Sequence, residues 1–171
     1  MALIVEDGTG NTPDANSYQS LDDLRMYAEL RGVTLPTADA DCNALMIKAM
    51  DYLEAQRSKY KGRITSASQP LQWPRADVVG IEWEGNIHPN NEIPRELIYA
   101  QLALAVEAVN HDLQPTRTPQ DQGPLVSSDT ASAIKKAWAN PGKVLSVPAF
   151  AKADALLAPL FKRNGLSLVR S

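Results

Sequence analysis

Two histidines, one cysteine and a few paired acids are the residues of this chain that could do chemistry. His88 lies in the turn-rich run Gly85-Asn86-Ile87-His88-Pro89-Asn90-Asn91, and His111 stands beside Asp112 at the end of an apolar segment. A metal site or a proton relay needs such groups at ligand spacing. These two are far apart and have no Cys or carboxylate so placed. A histidine at a helix end more often serves the helix dipole. Cys42 is the single cysteine, so a Cys-based zinc site and an intrachain disulfide are both excluded. Its place in an apolar helical pattern predicts a buried filler, not a reactive thiol. Gly8-Thr9-Gly10 lacks the lysine of a P-loop and does not lead into a helix. Asp22 with Asp23, and Asp39 with Asp41, fall where helices should begin, and negative charge is favourable there. We expect no catalytic residue, no metal and no cofactor.

A different chemistry is suggested by residues 57–75. Arg57, Lys59, Lys61, Arg63 and Arg75 occur with no acid between the first and the last, and Tyr60 and Trp73 are interleaved with them. Cations alternating with aromatics are what a single-strand nucleic-acid binder uses, the cations for phosphates and the rings for stacked bases. Against that stand an aromatic content of 6% and a pI near 5.4. Trp73, between Leu71 and Pro74, reads better as a packing anchor. Pro70 and Pro74 each remove a backbone donor and bias the preceding residue toward extended geometry, so this stretch is not a helix. Residues 61–92 are expected to be a long ordered arm forming a contact surface, with Arg63, Leu71, Trp73, Arg75 and Trp83 as its inter-subunit contacts.

The elements that must carry this arm are helical. Residues 2–5 read as a short strand or extended segment, followed by a turn-rich loop from Gly8 to Ser17. Ser20 with Asp23 three residues on forms a capping-box pattern, and Leu21, Leu24, Tyr27, Ala28 and Arg31 follow with helical spacing before Gly32. A second helix is expected from about Ala38 to Tyr60, capped by Thr37 or Asp39, with Cys42, Leu45, Met46, Ala49, Met50, Leu53 and Gln56 on one face. A third is expected from Pro94 to about Asp112, with an Ala-rich face. Residues 113–130, rich in Pro, Gly, Thr and Gln, read as a linker. Beyond it the pattern suggests a short helix to Ala139, a strand over Val144–Val147, and a last helix from about Pro148 to Lys162 that Pro159 should kink or end early. The fold class is therefore mainly α: a bundle of about four helices with an extended arm between the second and third, and short strand segments. The expected organisation is a body over 1–112 with its arm at 61–92, the linker at 113–130, and a C-terminal segment at 131–171.

Composition sets the remaining bounds. A chain of 171 residues, 44% hydrophobic, fits one domain with a sizeable core or one domain with an appendage. No apolar run reaches the ~18 residues needed to span a bilayer. The first residues lack the basic region and apolar stretch of a secretory signal, and a cytosolic origin is the expectation. The net charge of -3 conceals an asymmetry. Residues 1–130 hold 19 acids and 10 Lys or Arg, whereas residues 131–171 hold one acid and seven bases. An acidic body with a basic tail can dock on copies of itself, on an acidic partner or on nucleic acid.

Taken in order, these motifs resemble the head–tail connector proteins (adaptor or head-completion proteins) of tailed bacteriophages. The resemblance is carried by Met1-Ala2-Leu3-Ile4-Val5-Glu6-Asp7-Gly8-Thr9-Gly10, by Ala15-Asn16-Ser17-Tyr18 and Ser20-Leu21, and by Ala49-Met50-Asp51-Tyr52-Leu53. Lys61-Gly62-Arg63, Gln72-Trp73-Pro74-Arg75, Ile93-Pro94 and Ala153-Asp154-Ala155-Leu156-Leu157-Ala158-Pro159-Leu160 complete it. It covers residues 1–75, 93–110 and 149–162. It implies a small helical fold without catalysis, made in the host cytoplasm and residing in the virion neck. It also implies a homo-oligomeric ring, typically dodecameric, that extends the DNA channel beneath the portal protein and offers a surface to a tail or neck protein. Packaged DNA would pass through that ring, and no membrane is involved. The tail residues Lys162, Arg163, Leu166, Leu168 and Arg170 would then dock into the portal. Some members of this group carry the label of DnaT-like single-stranded-DNA-binding proteins, which makes a replication accessory protein the alternative.

Overall fold

The computed structural model describes residues 2–81, 85–115 and 150–162. The chain forms two compact units, residues 1–113 with 150–171 and residues 114–149. Of the second unit only Gln114 and Pro115 are among the described residues, so the helix expected to end at Ala139 and the strand at Val144–Val147 lie outside them.

The first unit is mainly helical, as expected. Its described elements are α1 (Leu21–Glu29), α2 (Asp39–Ala55), the two-residue strands β1 (Arg63–Ile64) and β2 (Arg75–Ala76), α3 (Arg95–Glu107) and α4 (Ala151–Leu157). A 3-10 turn over Ala158–Leu160 completes α4, and Pro159 inside it accounts for the early end of the last helix. β1 and β2 pair antiparallel, Arg63 opposite Ala76 and Ile64 opposite Arg75. Ser20 caps α1 through the full capping box: its Oγ accepts from Asp23 N at 3.2 Å, and Asp23 Oδ2 accepts from Ser20 N at 3.2 Å. Asp22 and Asp23, like Asp39 and Asp41, occupy first turns.

Three boundaries differ from the periodicity-based expectation. α2 begins after Ala38, with no side-chain cap from Thr37 or Asp39; Asp39 is instead paired with Arg25 of α1. α2 ends at Ala55 instead of Tyr60, because Tyr60 is drawn into an antiparallel bridge with Phe161 and takes its backbone geometry from that pairing. α3 stops at Glu107, five residues short of Asp112.

α3 is the centre of the unit. Seven of its residues from Leu97 to Ala105 are buried, including Ala100, Ala103 and Ala105, and it packs against α1, α2 and α4. The small side chains allow this close approach on several sides, and a helix apolar nearly all round belongs inside. α2 contributes Cys42, Leu45, Met46, Ala49, Met50 and Leu53, the stripe its spacing indicated. α4, which the sequence assigns to a separate C-terminal segment, adds Ala153 and Leu157 to the same core. Burial of this continuous apolar set, at about 25 cal/mol per Å² removed from water, supplies the main stabilisation. No described helix is long and apolar enough to cross a membrane.

Candidate functional site

The basic and aromatic stretch folds inward. Trp73 is 0% exposed and sits edge-on between Tyr60 and His88, with ring centroids 5.8 Å and 6.2 Å away. Its backbone N donates to the Tyr18 hydroxyl at 3.2 Å, and its peptide bond to Pro74 is cis. Leu71 and Tyr60 are buried in the same core, and the Tyr60 hydroxyl donates to Leu53 O at 3.0 Å. The expected packing role of Trp73 is therefore its structural one, and Leu71 and Trp73 are not on the surface as inter-subunit contacts. The physical reason is area: large apolar side chains flanked by prolines gain more from the nearby core than from an exposed arm.

Arg75 is also buried. Its Nε donates to Lys61 O at 2.7 Å, Nη2 to Gly62 O at 3.0 Å, and Nη1 to Gln72 O and Oε1 at 3.3 Å. The guanidinium thus uses its planar fork to tie both strands of the arm together through carbonyls. Burial pushes its pKa down, and the neighbouring Tyr60, Tyr18 and Glu54 oppose that. Gly62 makes this closure possible. It has φ +66°, and a Cβ there would stand 2.2 Å from Ala76 O.

A second set of polar groups clasps the arm to the body. Glu54 Oε1, on α2, accepts from Gln72 N at 3.1 Å and from the Tyr18 hydroxyl at 3.3 Å. Burial raises the Glu54 carboxyl above its usual 4.5, partly offset by those hydrogen bonds. Burial also drives the Tyr18 phenol well up, so it acts as a neutral hydrogen-bonding group. Gln101, fully buried on α3, accepts from Tyr18 N at 3.0 Å and donates to Ser17 Oγ at 2.8 Å. Sequence reasoning missed Glu54, Gln101 and Tyr18 as a set. The available signal was a glutamine at an interior position of an otherwise apolar helix.

What remains outside is sparse. Arg63 is exposed and pairs with exposed Asp77 at 2.8 Å, a contact worth little in water. Lys61 Nζ donates to Val79 O at 3.0 Å. The Tyr60–Phe161 bridge brings Lys162 to the end of α2: Lys162 N donates to Lys59 O at 2.8 Å and Lys162 Nζ to Ser58 O at 3.3 Å. Exposed Arg57, Lys59 and Lys162 therefore share one corner, though about a hundred positions separate them in the chain. Trp83, Arg163, Leu166, Leu168 and Arg170 lie outside the described residues.

The opposite kind of surface lies between α1 and α3. Met26 and Leu30 are 56% and 77% exposed, and with Tyr27, Ile98, Tyr99 and Leu102 they line a groove of about 370 Å³. That is the low end for a small-molecule cleft, so the groove fits a few side chains. Arg31, 3.5 Å over the Tyr27 ring, also lines the groove, as do Arg95, Asp23 and Gln19. This site was also missed; its signal was Met26 on α1 and Leu30, four residues on, at its C-cap.

The other candidates resolve simply. His88 is buried, its Nε2 paired with Glu92 O at 3.1 Å, and His111 is exposed beyond α3. Cys42 is buried with its Sγ donating to Pro36 O at 3.2 Å, and burial raises its pKa. Among the described residues no group of three or more His, Cys, Asp or Glu is placed to hold a metal ion.

No curated protein and no solved structure matches the chain. One family model does, over all of residues 1–171, and its description carries the DnaT-like words of the alternative expectation. With a match of that extent, the chain belongs to the family described as "Putative DnaT-like ssDNA binding protein".

Proposed function

We propose that this chain is a non-catalytic structural adaptor, assembling with copies of itself into a ring at the head–tail junction of a tailed bacteriophage. The observation that carries the reading is the reversal of surfaces. Both aromatics of the basic stretch, Tyr60 and Trp73, are buried, whereas Met26, Leu30 and Tyr99 stay exposed around a groove. A stacking binder needs its rings outside beside its cations. A subunit that works by packing against neighbours needs exposed apolar surface instead. The order of motifs over 1–75, 93–110 and 149–162 supports the connector assignment, and a ring of identical subunits repeats each modest contact. Lys162, with Arg163 and the tail beyond it, is the segment we assign to the portal.

The test is to mix the purified protein with the portal ring of its phage and image the product by electron microscopy. A second ring stacked on the portal is the expected result. Portal rings without added density, from a protein that is folded by circular dichroism, would overturn the adaptor.

A second reading, single-stranded-DNA binding, is favoured by the family description and by the exposed corner of Arg57, Lys59 and Lys162. That corner would hold phosphates and leave the bases unread. Three such contacts, at about -0.7 each for single strands, give a slope of about -2 in log affinity against log salt. A titration with a labelled oligonucleotide measures it. Loss of binding in the triple variant Arg57→Glu, Lys59→Glu, Lys162→Glu would support this reading, and absent binding at low salt would remove it.

A further inference from the structure

We propose that the outer edge of residues 3–5 pairs with the same edge of a second copy of this chain, antiparallel and about a two-fold axis at Ile4. The proposal does not rest on the adaptor reading and uses none of the groove residues. The inner side of this segment is already engaged. Ile4 N donates to Asn16 Oδ1 at 2.8 Å, and Ile4 O accepts from Asn16 N at 2.9 Å and from Ser17 N at 3.2 Å. Glu6 N donates to Ser17 O at 2.9 Å, which makes a parallel bridge between Val5 and Ser17. In extended backbone the N–H and C=O groups of alternate residues point to opposite sides. Those of Leu3 and Val5 therefore point outward, and they make no hydrogen bond among the described residues. The edge is also held in place: Asn16 Nδ2 donates to Ala2 O at 3.3 Å, and Leu3 packs against the core.

This edge is unguarded. Exposed edges of native sheets are usually blocked by a charge or a proline. Ala2-Leu3-Ile4-Val5 carries neither. Two acids follow, and the next loop engages both. Glu6 is 4% exposed, and its Oε1 accepts from Gly8 N at 3.2 Å and from Gly10 N at 2.9 Å. Asp7 Oδ1 accepts from Thr9 N at 2.9 Å and from Thr9 Oγ1 at 2.6 Å. Ile4 and Val5 point to opposite faces and are 39% and 38% exposed, so neither face is covered. The occupant follows from charge complementarity. Partial positive N–H and partial negative C=O groups alternate along the edge, so it matches itself when turned by 180°. Leu3 then exchanges both hydrogen bonds with Val5 of the second copy, and the reverse follows by symmetry. Ile4 falls opposite Ile4 of the second copy as a non-hydrogen-bonded pair, where side chains lie closest and an apolar pair is stabilising. Only this register uses Leu3 and Val5 of both copies.

The test uses the full chain. Sedimentation equilibrium of the parent should show monomer and dimer in a concentration-dependent balance. Val5→Pro removes an outward N–H that the fold does not use, and extended backbone before it accepts a proline. It should weaken the dimer about tenfold or more, because a two-fold pair loses that bond twice. A disulfide scan then reads the register without depending on that variant. Under mild oxidation Ile4→Cys should give a disulfide-linked homodimer, since the two cysteines would face each other on the axis. Val5→Cys should stay unlinked, because Val5 faces Leu3 of the second copy. Buried Cys42 is out of reach in both. Equal cross-linking of the two cysteine variants would overturn the proposal, as would none in Ile4→Cys. A parent that stays monomeric at every concentration would also overturn it, and the edge would then be open to another protein's strand. The adaptor reading fails separately. If Ile4→Cys links but the parent never binds the portal, the edge contact stands and the adaptor falls; a ring on the portal without the link gives the reverse.

Discussion

The arm and the α1–α3 groove carry similar side chains and treat them in opposite ways. In the arm, Leu71, Trp73 and Arg75 are folded away, and each buried polar group of the Tyr18–Glu54–Gln72 clasp has a named partner. In the groove, Met26, Leu30 and Tyr99 keep much of their surface in water. Apolar area left exposed on a packed unit marks a contact surface, and area already buried is spent on the fold. The difference teaches that a basic and aromatic composition does not locate an interface. What locates it is which side chains the fold leaves unsatisfied.

Substitutions can break this contrast at graded strengths. Trp73→Ala should be the most damaging, costing about 3–5 kcal/mol as a large buried ring is replaced by a cavity. Urea unfolding measures it, and a loss below about 1 kcal/mol would mean that the arm is not part of the core. Arg75→Lys should come next, at about 1–3 kcal/mol, because an ammonium cannot span the carbonyls of Lys61, Gly62 and Gln72 that the guanidinium fork holds. A lysine variant as stable as the parent would show that the fork contributes charge alone.

Glu54→Gln tests the clasp through pH. The carboxyl has a raised pKa in the folded chain, so the folded state binds more protons than the unfolded state above pH 4.5. Its contribution to stability is complete below that pH and is lost as pH rises through the folded value. The glutamine variant keeps an acceptor for Gln72 N and the Tyr18 hydroxyl but lacks this loss. Its urea midpoint should therefore fall less than that of the parent between pH 4.5 and 7.5. Parallel pH profiles would place the Glu54 carboxylate in contact with water. The smallest effect on folding belongs to the groove. Leu30→Glu should change unfolding free energy by no more than about 0.5 kcal/mol, and a larger loss would mean that Leu30 is part of the core.

The legibility of the sequence follows the same division. Local rules were enough for the capping box at Ser20, the stripe of α2, the effect of Pro159 and the burial of Cys42, since each depends on neighbours within a few residues. The arm was legible as irregular and ordered, because Pro70 and Pro74 forbid a helix there. Its direction was not. Whether Trp73 and Arg75 face inward depends on Tyr18, Glu54 and Tyr60, which reach them from other segments.

By itself the sequence determined that this is a mainly helical chain with an Ala-rich helix, an extended insertion after α2, and no disulfide within the chain. Periodicity, proline chemistry and composition act on neighbouring residues, so they can be read from order alone. Only the tertiary structure decided which apolar residues are consumed and which are left over. It closed the arm on Gly62, gathered Arg57, Lys59 and Lys162 at one corner, and left Met26 and Leu30 uncovered. Those outcomes depend on contacts between distant segments competing for one core, and local sequence carries no record of which segment wins.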